Sequence, residues 1–150
     1  MIYADSSFLI ATRVRRDTHY ESALGFYEAN QDAGWLWCPW HRVEIFNSIR
    51  QLVQHPDKNR RLASLEARAI IHHIEMDVRL GYFMHMEADW RDVCRTANEI
   101  SIAYAFEGPC RAADLFHVAW AKELAAETFV SFDKDQSDLA AAAGLKTIAL

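Results

Sequence analysis

The chain has 150 residues, half of them apolar in type and a quarter charged, which is the size and balance of one ordinary domain with its own core and excludes a disordered chain. Five glycines and three prolines exclude a long linker, and no run reaches the roughly 18 apolar residues of a membrane span. The net charge of −5 hides an asymmetry, nine Lys or Arg against eight Asp or Glu through Ile70 but seven against thirteen from Ile71 onward, and the clusters Arg13-Val14-Arg15-Arg16 and Lys58-Asn59-Arg60-Arg61 suit either local basic surfaces or plain solvated helix faces.

Ile2-Tyr3-Ala4-Asp5 is a short apolar run ending at an acid, and Ser6-Ser7 then precede Phe8-Leu9-Ile10-Ala11, which continue as a helix. A strand feeding directly into a helix opens an α/β unit. Thr18-His19-Tyr20-Glu21 has the form of a capping box and predicts a helix to about Gln31. Ala33-Gly34 stops it, Trp35-Leu36-Trp37-Cys38 predicts a buried strand closed by Pro39, and a helix follows over 40–54 until His55-Pro56. Over 59–80 the pattern is helical, with Leu62, Leu65, Ala69 and His72 or His73 on one face. Gly81 interrupts it, and 82–86 fits either a strand or a helix end. Helices are expected over 89–106 and, beyond Gly108-Pro109, over 112–126. A β-branched and aromatic strand over 128–132, a helix over 133–143 closed by Gly144 and a last strand over 146–150 complete the chain. Strands separated by helices imply parallel pairing. The expected fold is a single domain over 1–150, a three-layer α/β/α sandwich on a central, mostly parallel sheet.

Ligands of open parallel sheets bind beyond the carboxyl ends of the strands, and four acids fall there. Asp5 ends the first strand, Asp133 follows Val130-Ser131-Phe132, Glu44 lies one turn into the helix after the second strand, and Asp114 lies in the first turn of the helix before the 128–132 strand. Clustered carboxylates repel in a partly buried cleft unless protons or a cation neutralise them. Oxygen donors suit Mg²⁺ or Mn²⁺ rather than zinc, and such an ion supports phosphodiester hydrolysis. Singly, the same acids also read as helix caps (Asp5, Asp133) or as an exposed helix residue (Glu44).

The blocks Ile2-Tyr3-Ala4-Asp5-Ser6-Ser7-Phe8-Leu9, His41-Arg42-Val43-Glu44, Ala113-Asp114-Leu115-Phe116-His117-Val118-Ala119-Trp120-Ala121, Phe129-Val130-Ser131-Phe132-Asp133-Lys134-Asp135 and Leu139 to Leu145 occur in an order that resembles the PIN-domain ribonucleases, in particular the VapC-like toxins of bacterial toxin–antitoxin pairs. The resemblance implies that Asp5, Glu44, Asp114 and Asp133 are the metal-site acids, with Ser7 and Ser131 bonding around them. Ser131 stands where the family often has Thr, and both supply a hydroxyl. Asp135 and Asp138 compete with Asp133, which is favoured because Asp135 points elsewhere on the helix and Asp138 suits a solvent-facing position. The resemblance further implies an RNA substrate, a homodimer and a separate antitoxin protein, while the cysteine usage implies a cytoplasmic setting. The alternative is a PIN fold used for binding or scaffolding without turnover.

With the global charge opposed to RNA, binding must come from local cations; Arg13, Arg15, Arg16, Arg42 and Arg50 are the candidates. His117 lies three residues beyond Asp114, and reads as a packed, hydrogen-bonded histidine or as one that touches the acid site. His72 and His73 face different directions, and neither they nor His85 reads as a metal ligand. Trp35, Trp37 and Trp40 suit core or dimer contacts ahead of base stacking. Cys38, Cys94 and Cys110, odd in number and without a C-x-x-C, read as reduced, buried thiols. MIYADSSFLI lacks the basic and apolar blocks of a signal peptide. A receiver domain needs an acidic neighbour of Asp5, and a haloacid-type phosphatase needs an Asp where Ser7 stands.

Overall fold

Three-residue strands, the inner ones almost wholly buried, are what a parallel sheet covered on both faces requires. The computed structural model describes residues 1–106, 108–148 and 150. In chain order the elements are β1 (Ile2–Ala4), α1 (Ser6–Ala11), α2 (Tyr20–Ala29), β2 (Trp35–Trp37), α3 (Pro39–Leu52), α4 (Ser64–Leu80), β3 (Phe83–His85), α5 (Trp90–Tyr104), α6 (Ala112–Glu123), β4 (Thr128–Val130), α7 (Lys134–Ala142) and β5 (Lys146–Ile148). The sheet order is β3-β2-β1-β4-β5, and all four pairings are parallel. The expected α/β/α sandwich is therefore the observed fold.

Alternation along the strands sorts the side chains into two cores. Ile2, Ala4, Trp35, Trp37 and Val130 meet α1 to α4 on one face, where Phe8 stacks on Trp35 at 5.7 Å between centroids. Tyr3, Leu36 and Phe129 meet α5, α6 and α7 on the other. Trp35 and Trp37 are thus core residues. From β1 the chain leaves towards β2, whereas β4 lands on the opposite side of β1 and leads on to β5. The strand order thus reverses direction at β1, the kind of switch point beside which parallel sheets bind ligands, and Asp5 follows β1 there.

Several boundaries differ from those the sequence suggests. The Thr18 capping box does not form. Helix α2 starts at Tyr20 with no side-chain cap, and Asp17 Oδ1 accepts the His19 N–H instead. Helix α4 begins at Ser64 rather than 59, and its buried residues are Ala67 and Ile74, with Ile70, Ile71 and Val78 packed beside them. Leu65 is 80% exposed, so the face drawn through Leu65 and Ala69 is offset from the real one. Leu62 is buried from the preceding loop, where its N–H bonds Leu52 O. Residues 82–86 resolve as strand β3, the sheet edge. Helix α6 ends at Glu123 because Ala125 takes φ +52°, which lets the Ala126 N–H close back on Ala121 O. Strand β4 stops at Val130, and β5 ends at Ile148; the expected extension of β5 through Ala149 falls on a position outside the described residues. Of the thiols only Cys38 is buried; Cys94 is exposed. Among the described residues no helix is long and apolar enough to cross a membrane.

The α4 register makes a direct test. Ile74→Ala should lower the unfolding free energy by about 2–5 kcal/mol, whereas Leu65→Ala should change it by no more than about 0.5 kcal/mol, both read from urea unfolding curves.

Candidate active site

Asp5 ends β1 and caps α1. Its N–H bonds Val130 O, continuing the β1–β4 ladder by one residue. The side chain is 4% exposed, and three donors hold it: the Phe8 N–H on Oδ1 at 2.8 Å, and the Ser7 and Ser131 hydroxyls on Oδ2 at 2.7 and 2.8 Å. Burial pushes the carboxyl above the usual range, with attraction to His117 and these donors opposing it. Asp5 therefore caps α1, one of its two sequence readings, and at the same time gathers hydroxyls from two loops. Ser7 and Ser131 thus both bond Asp5. Ser131 Oγ also accepts the Asp133 N–H at 2.9 Å and lies 2.9 Å from the buried Gln136 Oε1.

Glu44 is set by α3. His41, three residues earlier, donates from Nε2 to Ala4 O at 2.8 Å and accepts the Cys38 N–H at Nδ1, which docks the helix start on the end of β1. Burial forces His41 down to about 3, with repulsion from His117 adding to it, so the ring is neutral. Glu44 Oε2 accepts from Ser6 Oγ and His117 Nε2, each at 2.5 Å. Burial pushes Glu44 up, but the His117 hydrogen bond and charge and the Ser6 bond outweigh it, and the carboxyl lies below its ordinary value. The carboxylate assigns the proton to His117 Nε2, while Nδ1 stands 3.0 Å from the Tyr3 hydroxyl. Burial raises Tyr3 well above its usual value and Cys38 to about 11, so both stay protonated. His117 thus satisfies both of its readings: it is packed and hydrogen-bonded, and it touches the acid.

Asp133 caps α7, with Oδ1 taking the Asp135 and Gln136 N–H groups at 2.9 and 3.3 Å. It joins Asp5 through Ser131. Asp114 lies one turn before His117, and its Oδ2 accepts the Arg111 N–H at 3.1 Å. Among the described residues no three His, Cys, Asp or Glu side chains converge closely enough to hold one ion. Asp5 and Glu44 are tied into hydrogen-bonded webs, while Asp114 and Asp133 each take backbone donors at a helix start. The donor chemistry still fits a hard cation. Glu44 Oε1, Asp114 Oδ1 and Asp133 Oδ2 make no hydrogen bond among the described residues, and Mg²⁺ or Mn²⁺ takes one or two carboxylates and keeps its waters. Asp138 pairs with Lys134 on the surface.

The arginines divide. The Arg13 side chain is 17% exposed; it binds Asp77 at 3.0 Å and lies over Tyr27 and Phe83, so it ties the loop after α1 to α2, α4 and β3. Arg16 pairs with Glu66 and Arg42 with Glu75, both on the surface. Arg15 and Arg50 make no ion pair among the described residues.

A model of the PIN domain matches residues 2–142 of this chain. The chain belongs to the PIN-domain family. Several solved structures share its fold, three of which follow. FitAcB from Neisseria gonorrhoeae superposes with a TM-score of 0.69 at 16% identity, over 99% of this chain and 96% of that one. VapC20 of Mycobacterium tuberculosis, described as a Sarcin-Ricin loop cleaving toxin, gives 0.65 at 18% identity over the whole of both chains. VapBC2 from Rickettsia felis, bound to a fragment of promoter DNA, gives 0.63 at 12%, over 100% and 99%. No curated protein sequence matches. In this PIN domain, Ser6, Tyr3, His41 and Gln136 join the site without having been singled out by sequence; the only signals for them were the Ser-Ser pair after Asp5 and a histidine one helical turn before Glu44.

His41 also sets a pH dependence. Its folded value is depressed, so the stability held above the unfolded value near 6.5 is lost as pH falls toward about 3. Between those limits each pH unit costs about 1.4 kcal/mol. His41→Gln should be less stable at pH 7 yet lose less between pH 6.5 and 4, as read from chemical denaturation across that range.

Proposed function

We propose that this PIN domain is a divalent-metal-dependent endoribonuclease, folded as one domain over 1–150 and acting as the toxin of a toxin–antitoxin pair. The observation that carries the reading is Asp5, a buried carboxylate at the carboxyl end of the central strand, held by hydroxyls from its own loop and from the end of β4 at the sheet's switch point. Asp5, Glu44, Asp114 and Asp133 would hold Mg²⁺ or Mn²⁺, which when bound neutralises phosphate charge and lowers the pKa of a water. The chain's own part is positional. Ser7 and Ser131 keep Asp5 Oδ2 in place, and Ser6 with His117 fixes Glu44 through Oε2 and leaves Oε1 for the reaction. Arg15, Arg50 and, on opening their surface pairs, Arg16 and Arg42 would meet phosphates, since exposed ion pairs contribute little and exchange readily.

A nuclease reading agrees with PIN-domain membership and with the cleaving activity stated for VapC20. A protein antitoxin with a positively charged segment suits the acidic second half of the chain, and VapBC2 and FitAcB share this fold. A homodimer in the cytoplasm completes the reading.

Asp5→Asn keeps shape and removes charge. It should abolish Mg²⁺- or Mn²⁺-dependent RNA cleavage while the far-ultraviolet circular dichroism stays that of the unmodified chain; retained cleavage would refute the assignment. Ser131→Ala, which loosens Asp5 without removing it, should cost about 10- to 100-fold in metal affinity or activity, measured by calorimetric Mn²⁺ titration alongside a cleavage assay.

A further inference from the structure

Beside the acid site a groove of about 690 Å³ runs between α1, the second half of α3 and the loop joining α3 to α4. Ser7, the residue that donates to Asp5, is part of its lining. Arg50, Gln54, His55 and Arg60 also line it. Neither arginine makes an ion pair among the described residues, and they come from different elements. Arg50 is steadied over the Phe46 ring at 6.0 Å. Arg60 sits on a loop that is tied down, because Arg61 donates to His55 O at 2.8 Å and to Pro56 O, and buried Leu62 bonds Leu52 O. Among the described residues the only carboxylate in the lining is Asp17, whose Oδ1 already accepts the His19 N–H. In a chain of net charge −5, two unpaired guanidinium groups on one anchored groove form a local anion track.

We propose that this groove carries the RNA strand away from the acid site, with Arg50 and Arg60 each taking a backbone phosphate and Gln54 offering its amide to sugar and base edges. The proposal deepens the nuclease reading and rests on it. A single strand follows a positively charged groove, and the groove's contact with Ser7 makes a strand gripped there continuous with the phosphodiester beside Asp5. The basic cluster at 58–61 then divides into two roles, Arg61 holding the loop and Arg60 meeting the strand.

The test uses the full chain in an Asp5→Asn background with Mg²⁺, so that the strand is not cut. Its probe is a fluorescein-labelled single-stranded 12-nucleotide RNA of mixed sequence, followed by anisotropy over a series of salt concentrations. Arg50→Gln with Arg60→Gln should weaken binding at least tenfold. The double variant should also reduce the slope of log K against log salt by about 1.4, two phosphates at about 0.7 each for a single strand. Arg60→Glu alone, on an exposed loop, should weaken binding without touching the Phe46 contact, and Arg95→Ala on the opposite face of the sheet should leave it unchanged. If RNA binding survives both groove variants, the groove proposal falls while the nuclease reading stands. If those variants instead lose binding of a polyglutamate peptide and keep RNA, the groove is a protein-docking site and the proposal falls. If the Asp5→Asn chain binds no RNA and the unmodified chain cuts none, both readings fall together.

Discussion

A carboxylate buried at the end of the central strand must be met by donors or give up its charge. That requirement organises the carboxyl edge of this sheet. One donor to Asp5 comes from the backbone, and it exists because α1 begins at Ser6 and presents the Phe8 N–H. A second is a hydroxyl two residues on, Ser7. The third, from Ser131, depends on sheet register. Ala4 pairs with Val130, so the next residue of each strand, Asp5 and Ser131, meet just past the end of the ladder. A slip of one residue would swing the Ser131 side chain to the other face of the sheet and leave Asp5 Oδ2 with Ser7 alone. The geometry of the site is therefore a consequence of how β1 and β4 pair, and the pairing is enforced by Phe129 and Val130 burying on opposite faces.

Glu44 shows the same economy across layers. Its helix packs on one face of the sheet through Ile45, Phe46 and Ile49, whereas His117 comes from α6 on the other. The two meet beyond the end of β1, where Tyr3 reaches His117 Nδ1 and His41 reaches Ala4 O. Two buried histidines in one web are compatible because their roles differ. His41 is neutral, with its tautomer fixed by a backbone N–H on one side and a backbone carbonyl on the other. His117 presents a proton to a carboxylate. The web joins both helical layers to the central strand, so a change at Tyr3 or His41 would be felt at Glu44 although neither touches it through a hydrogen bond.

Much of this was legible in the residues. Apolar runs ending at Asp5 and just before Asp133, with helices between them, are local signals, and they located the sheet and its parallel sense. The failures share a cause, which is that local pattern competes with tertiary packing. Thr18 and Glu21 have the spacing of a capping box, yet Asp17 takes the turn and shifts the start of α2. Leu65 has helical spacing from Leu62, but Leu62 lies before the helix, and α4 turns the Ala67–Ile74 face inward. The end of α6 carries no glycine; its left-handed residue is Ala125, a conformation that costs energy and that no composition rule flags. The partners of Asp5 could be named because they are near it in sequence or stand at a strand end. His117 and Ser6 on Glu44 could not be settled, because that contact joins residues 73 positions apart and depends on two helices docking on opposite faces.

Charge is where sequence counting misleads most. Five arginines follow the first two strands, and all five are formally equal as phosphate ligands. In the fold they are not. Arg13 is spent inside, between a carboxylate and two aromatic rings, and removing it would cost packing rather than binding. Arg16 and Arg42 hold acidic partners of α4 that a phosphate would have to displace. Arg50, whose own helix supplies only the face of Phe46, needs no such exchange. An acidic protein can recognise a polyanion on these terms, because the field near a strand is set by the few cations within about a Debye length, roughly 10 Å, and not by the sum over the chain. The acids that dominate from Ile71 onward are largely committed to arginines or helix starts, as Asp77 and Glu75 are to Arg13 and Arg42, and Asp114 and Asp133 are to backbone amides. The excess negative charge and the groove beside Ser7 can therefore coexist in one molecule.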